Sequence, residues 1–426
     1  MKLCIHNGRL IDPANGLDKV GALCVNEGRI VAVGTIPESF TPDCEFDASG
    51  RIVCPGLVDL QARLREPGHE HKGTIETETA AAAAGGITTL CCPPDTEPVA
   101  DTPAVANLIQ ELARRAGNTR VLPIGALTPE LRGEQICEMF ILSQAGCVAF
   151  SNAEHPIINT EVMRRAMEYA ATHDLTLLLR PQDPWLSANG CAHEGAVSTR
   201  LGLPGIPEFA ETMEVARLLT LIEQTGARTH LGPLSTARAV QMIGRAQYDG
   251  LPVSASVTAH HLHLTELDIS DFDNRGYLRP PLRTQRDQEG LHRGLTRGVI
   301  GAICSDHQPH DIDAKLAPFA ETEPGASAVE TLLPLSLRLV DQGVLSLPQL
   351  IAALTWQPAR ILGIPAGTLS PGAAADICIF DPEHYWTVNP DTLISHGHNT
   401  PLMGWELKGK VTHTFLEGRL VYQLKG

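Results

Sequence analysis

The chain has 426 residues, 43% of them hydrophobic and 19% charged, the proportions of a globular protein with a large core rather than of a disordered one. A formal net charge of −16 without any Lys/Arg-rich run argues against nucleic acid as a main partner, because phosphate binding needs concentrated basic residues. No stretch approaches the roughly 20 apolar residues of a membrane helix. The N-terminus, MKLCIHNGRLIDPANG, has neither an apolar h-region nor a small-residue cleavage site, so no membrane association and a cytoplasmic location are expected. Eleven cysteines, an odd number with no Cys-x-x-Cys, read as buried free thiols in a reducing compartment.

The first 54 residues read as short strands joined by Gly, Asn and Asp turns: KLCIHNGRLID, ALCVNEGRIVAVG and CEFDASGRIVCPG. The middle alternates. Apolar, strand-like runs occur at PGLVDL, GITTLCC, RVLPIGAL, CVAFS, LTLLL, RTHLGPL, VSASV and GAICS. Amphipathic stretches such as VANLIQELARRAG, EVMRRAMEYAATHD, MEVARLLTLIEQTG, STARAVQMIGRAQ and DQEGLHRGLTRG lie between most of them. The strand pattern resumes at ADICIFDP, YWTVNP and ELKGKVTHTFLEGRLVY. Eight buried strands feeding helices predict a (β/α)8 TIM barrel of class α/β over residues 55–363, with a small β-sandwich domain formed by both chain ends, residues 1–54 and 364–426. A doubly wound open sheet is the weaker alternative, because no GxGxxG follows the first strand. Glycine pairs such as Gly85-Gly86 read as helix ends rather than phosphate cradles.

In such barrels the working groups lie just past the C-terminal ends of the strands. Those positions carry Gln61, Arg63 and Arg65 after strand one, Asp95 after strand two and Asn152 after strand four. Arg180 follows strand five, Pro233 strand six, His260 and His261 strand seven, and Asp306, His307 and His310 strand eight.

The motifs PGLVDL followed by LREPGHEHK, GGITTL, SDHQPH, YLRPPLR, ALTWQPARILG, GTLSPGAAADICIFDP and NTPLMGWELKGKV resemble those of bacterial dihydroorotases of the amidohydrolase superfamily, over the whole chain. That resemblance implies a barrel with a β-sandwich from both ends, and a zinc-dependent cyclisation of carbamoyl aspartate to dihydroorotate in pyrimidine biosynthesis. It also shows where the chain departs. Where the family carries His-x-His after strand one, this chain has Gln61 and Arg63. The bridging carboxylate after strand four corresponds to Asn152, the strand-five histidine to Arg180 and the strand-six histidine to Pro233; only the strand-eight aspartate remains, as Asp306.

Zinc needs imidazole, thiolate or carboxylate donors. Arginine stays protonated and has no free lone pair, proline offers no side-chain donor, and neutral amides are poor zinc ligands. Each guanidinium at about 5 Å would repel a divalent ion by roughly 7 kcal/mol at an effective dielectric of about 20. The expectation is therefore a pseudoenzyme with no zinc cofactor and no catalytic residue. Its metal positions Gln61, Arg63, Asn152, Arg180, Pro233 and Asp306 are vestigial, and Asp306 is paired with Arg63 and Arg180. The resemblance places Arg65, Asp95 and His310 in a vestigial substrate pocket, with Asp95 repelling an anionic ligand. The pair His307/His310, and His261/His263 on one face of a strand, are weaker metal candidates.

Some bacterial dihydroorotase-like chains are non-catalytic partners of aspartate carbamoyltransferase, needed for its assembly or stability. The resemblance thus implies the catalytic chain of that enzyme as partner, in a hetero-oligomer with self-association. Two alternatives remain open: a divergent amidohydrolase acting metal-free or with one ion on Asp306, His307 and His310, and a small-molecule sensor using Arg65.

Overall fold

The structure, a computed structural model, describes residues 2–425. Eight parallel strands follow one another around a barrel: β1 (Leu57–Asp59), β2 (Ile87–Cys92), β3 (Arg120–Ala126), β4 (Ala149–Ser151), β5 (Leu177–Leu179), β6 (Thr229–Leu231), β7 (Val253–Thr258) and β8 (Ala302–Cys304). All eight are those the apolar runs predict. The ladder does not run directly from β8 back to β1. A bridge between Ala62 and His307 and the bond from Arg63 N to His307 O (2.9 Å) join the two ends just beyond the strands. Asp59 reinforces this seam: its buried carboxylate accepts the Ser305 N–H (3.0 Å) and the Ser305 hydroxyl.

The helices form where periodicity and end signals agree. Helix α2 (Pro103–Ala116) opens on proline, turns Val105, Ala106, Ile109 and Ala113 inward, places Arg114 and Arg115 in its last turn and stops at Gly117 with φ 68°. Helix α1 (Ile75–Ala84) shows no such stripe. Its sequence IETETAAAAA is buried on nearly all sides, because it is wedged between the barrel and the sheet from the chain ends. Thr414 Oγ1 donates to Ala83 O (2.7 Å), and a Cβ on Gly86, whose φ is 82°, would meet Cys378 Sγ at 2.5 Å. Only small side chains permit that approach.

The chain ends share one eight-stranded sheet. Strand Lys2–Asp12 pairs antiparallel with Leu17–Asn26 and parallel with Ile52–Pro55, which pairs antiparallel with Ile377–Thr387; Glu406–Leu416 and Arg419–Gln423 extend that side. Leu3, Ile5, Leu10, Leu23, Val53, Ile377, Ile379 and Phe415 form its core. All eleven cysteines are free, and Cys44 is exposed.

Asp59→Ala leaves the buried Ser305 N–H without its acceptor and the Ser305 hydroxyl with only the longer contact to Gln61 O (3.3 Å). A loss of about 2–4 kcal/mol is expected in urea unfolding, against under about 1 kcal/mol for Asp43→Ala at the surface.

Candidate functional site

The ends of β1, β2, β4, β5 and β8 bring five charged side chains together. Arg63 Nε donates to Asp95 Oδ2 (2.7 Å), while its terminal nitrogens lie 3.2 Å from Glu154 and 3.5 Å from Asp306. Arg180 reaches Glu154 Oε1 at 2.8 Å and Asp306 Oδ2 at 3.2 Å. Gln61 Nε2 donates to the other Asp306 oxygen (2.7 Å), and Gln308 Nε2 to Glu154 (3.1 Å). Both guanidinium groups are only 6% exposed.

Asp306 therefore stands between two cations, yet it is not the one carboxylate that balances them. Glu154, three residues past β4, and Asp95 share that task, so two arginines meet three carboxylates. Asp95, expected to repel an anionic ligand, turns its carboxylate onto Arg63. Glu154 was not singled out from the sequence. It sits in an irregular loop beyond Ala153 (φ 50°), and nothing but its proximity to the strand end signals a role.

The charges respond accordingly. Burial alone would raise Glu154, but Arg180, Arg63 and Arg279 outweigh it and hold the carboxyl at about 2. Burial also opposes the charge on Arg63, and Asp95, Glu154 and Asp306 together restore it, raising its pKa. Asp306 is raised, chiefly by burial, with Arg180 and Arg63 acting against the rise. Arg65 is lowered to about 10 by burial and by Arg63.

The remaining positions do not join this cluster. Asn152 spends its whole amide on the chain: Oδ1 accepts from Thr128 Oγ1 (2.7 Å) and Nδ2 donates to Leu131 O and His155 O. Pro233 lines a narrow gap beside Arg180. Arg65 Nε donates to Pro309 O (2.9 Å), and its Nη2 lies 3.1 Å from His310 Nε2, so its reach is directed at the β8 loop.

The histidines also diverge. His307 Nδ1 accepts the Ala328 N–H (2.9 Å), leaving Nε2–H for Glu78 (2.9 Å). Both ring nitrogens are thus committed away from His310, and these two residues do not converge with Asp306 on one point. At residues 260–263 the chain is a 3-10 turn, β7 having ended at Thr258, so the strand alternation expected for His261 and His263 does not apply. His261 is held between Thr258 Oγ1 (2.6 Å) and Pro280 O (3.0 Å), and burial lowers it to about 3. His230, inside β6, lies between the hydroxyls of Ser254 and Ser256 and is likewise lowered to about 3 by burial.

At the positions where the resemblance implies zinc ligands, there stand an amide bonded to Asp306, an amide bonded to its own surroundings, two guanidinium groups, a proline and one carboxylate. That carboxylate, like Asp95 and Glu154 beside it, is bonded to the guanidinium groups; this set does not fit zinc. The cavities left around Gln61, Arg180 and His230, and around Arg63, Arg65 and Asp95, are about 20 and 10 Å³. Each has room for about one water and none for a pyrimidine-sized ring.

The fold and the placement of these strand ends are those of an amidohydrolase-type barrel. An L-hydantoinase from Arthrobacter aurescens superposes with a TM-score of 0.87 over 99% of this chain and 96% of its own, at 23% identity, a likeness of fold. A family profile described as dihydro-orotase-like matches residues 50–238. A "dihydroorotase-like protein" of Pseudomonas aeruginosa is 48% identical over 99% of this chain and 100% of its own length, and one of Pseudomonas putida is 49% identical over 99% of both. A "dihydroorotase" of Syntrophotalea carbinolica is 43% identical over the full length of both. The chain belongs to the dihydroorotase-like family.

Two outcomes follow from the cluster. Arg180→Leu leaves Glu154 and Asp306 short of a cation and is expected to cost about 3–5 kcal/mol in urea unfolding. Glu154 titrates near 2 in the folded chain and at about 4.3 unfolded, so its contribution is complete above about pH 4.3 and is lost as pH falls through about 2. The stability difference between the wild type and Glu154→Gln should therefore shrink by about 2–3 kcal/mol between about pH 5 and about pH 2.

Proposed function

We propose that this protein is a non-catalytic dihydroorotase-like subunit of pyrimidine biosynthesis that binds the aspartate carbamoyltransferase catalytic chain and supports its assembly or stability. The observation that carries the non-catalytic half is the Arg63–Arg180 cluster. Cations stand where a hydrolase of this fold would place its metals, and the surrounding cavities are of single-water size. Without a metal, no water has its pKa brought toward 7 and no substrate carbonyl is polarised. Both carboxylate oxygens of Asp306 already accept, one from Gln61 Nε2 and one from Arg180, so neither is free to reach a substrate proton.

The partner half rests on the family resemblance alone. The proposal predicts three results. Purified protein carries less than about 0.1 zinc per chain, fails to turn over carbamoyl aspartate with or without added zinc, and co-sediments with the transferase of its own organism while raising the latter's thermal stability. Stoichiometric zinc, or turnover abolished by a chelator, would sink the first half. Independent sedimentation of the two proteins with unchanged transferase activity would sink the second.

A further inference from the structure

Outside the filled centre, the same end of the barrel holds a wide cleft of about 1040 Å³. Its walls are residues 268–275 beyond β7, 310–316 beyond β8, and 390–403 of the segment leading to the last strands. The contrast with the 10–20 Å³ gaps around the arginines is two orders of magnitude, so room at this face lies in the loops and not at the former reaction centre.

Two properties of this cleft go together. Phe272, Ile312 and Leu316 line it while 50, 81 and 72% exposed. Large apolar side chains left in water around one concavity mark an interaction site, where isolated ones do not. The second property is charge. Asp268, Asp271, Asp273 and Asp311 face Arg275 and Lys315. Arg275 is taken by Asp273 at 2.7 Å, and Lys315 donates to Glu323 O at 2.6 Å. Among the described residues Asp268, Asp271 and Asp311 have no cationic partner: Asp268 accepts from Thr265 N (2.7 Å) and Asp311 from Ala314 N (3.1 Å). At the floor, His310 is buried and its Nδ1 makes no hydrogen bond, although Glu323 Oε2 lies 3.3 Å away.

We infer that this cleft holds a segment of the partner chain in which lysine or arginine side chains are interspersed with apolar ones. The cations meet Asp268, Asp271 and Asp311, and the apolar groups pack on Phe272, Ile312 and Leu316. A second copy of this chain does not fit, since it would bring the same acidic rim and a further formal charge of −16. The identity of the partner rests on the function proposed above; the chemistry of the segment rests on the cleft alone.

The test uses the full chain with two probes: the transferase, and a short labelled peptide of alternating lysine and leucine. The triple variant Asp268→Asn/Asp271→Asn/Asp311→Asn keeps side-chain oxygens that can cap Thr265 and Ala314, so the loops keep their shape while the charge goes. Ile312→Ser/Leu316→Ser removes the apolar part, and Glu161→Gln/Glu168→Gln on an outer helix controls for general acidity. Both cleft variants are expected to weaken peptide and transferase binding about tenfold or more, the triple variant also flattening the salt dependence, with the control unchanged. Equal peptide binding by wild type and triple variant overturns the cleft, whatever the transferase does. If the peptide discriminates the variants but the wild type ignores the transferase, the cleft stands and the proposed partner falls.

Discussion

Two arginines that cannot release their protons stand inside the mouth of the barrel, and the rest of the site is arranged around that constraint. Moving a cation out of water costs several kcal/mol even after relaxation, and arginine has no neutral form to retreat into. Opposing charge must therefore be supplied by the fold. Asp95, Glu154 and Asp306 supply it from three different strand ends, at 2.7–3.5 Å. A single pair at 3.2 Å is worth about 5 kcal/mol gross at an effective dielectric of about 20, most of which offsets desolvation. The net gain in stability is small. What the cluster adds is geometry: β1, β2, β4, β5 and β8 are tied across the barrel by charges that tolerate no missing member.

The barrel was legible in the sequence because each of its eight strands is a short apolar run, and most crossovers carry a 3.6-residue stripe. Helix α1 was not, since a run of five alanines packed on two sides leaves no polar face to set a period. The charge-changing replacements at Arg63 and Arg180 could be read directly, and so could a pairing of Asp306 with them. Glu154 and the turn of Asp95 could not: both depend on where irregular loops carry a carboxylate, which no spacing rule encodes. The 260–263 histidines were assigned strand geometry for a similar reason. A strand pattern has no marker of its own for the residue at which it tightens into a 3-10 turn.

The backbone around the cluster is held in unusual conformations. Asp306 (φ 46°), Arg65 (φ 65°) and Ala153 (φ 50°) occupy the left-handed region, each at a cost of order 1 kcal/mol or more. Such bends persist only where neighbours over-determine them. Around Asp306 those neighbours are the Asp59–Ser305 contacts, the Ala62–His307 bridge and the Glu78–His307 bond. The bridge is closed by the Arg63 backbone N–H on His307 O, but none of these contacts uses an arginine side chain. The scaffold that bends the chain and the side chains that project from it are therefore separable: the bend at Asp306 does not depend on which side chains fill the barrel mouth.

Separability also accounts for how charge is distributed at this face. Inside, where burial penalises any imbalance, Arg63 and Arg180 each find carboxylates within 4 Å, and these two cations with Asp95, Glu154 and Asp306 leave one excess negative charge. Outside, where water screens over about 8–10 Å, Asp268, Asp271 and Asp311 stand without a cation at little cost to folding. An uncompensated rim is inexpensive in the free protein and becomes attractive only when a complementary surface displaces the water. Asp268, Asp271 and Asp311 thus keep their charge available at the rim, while the charges of the centre are spent on one another.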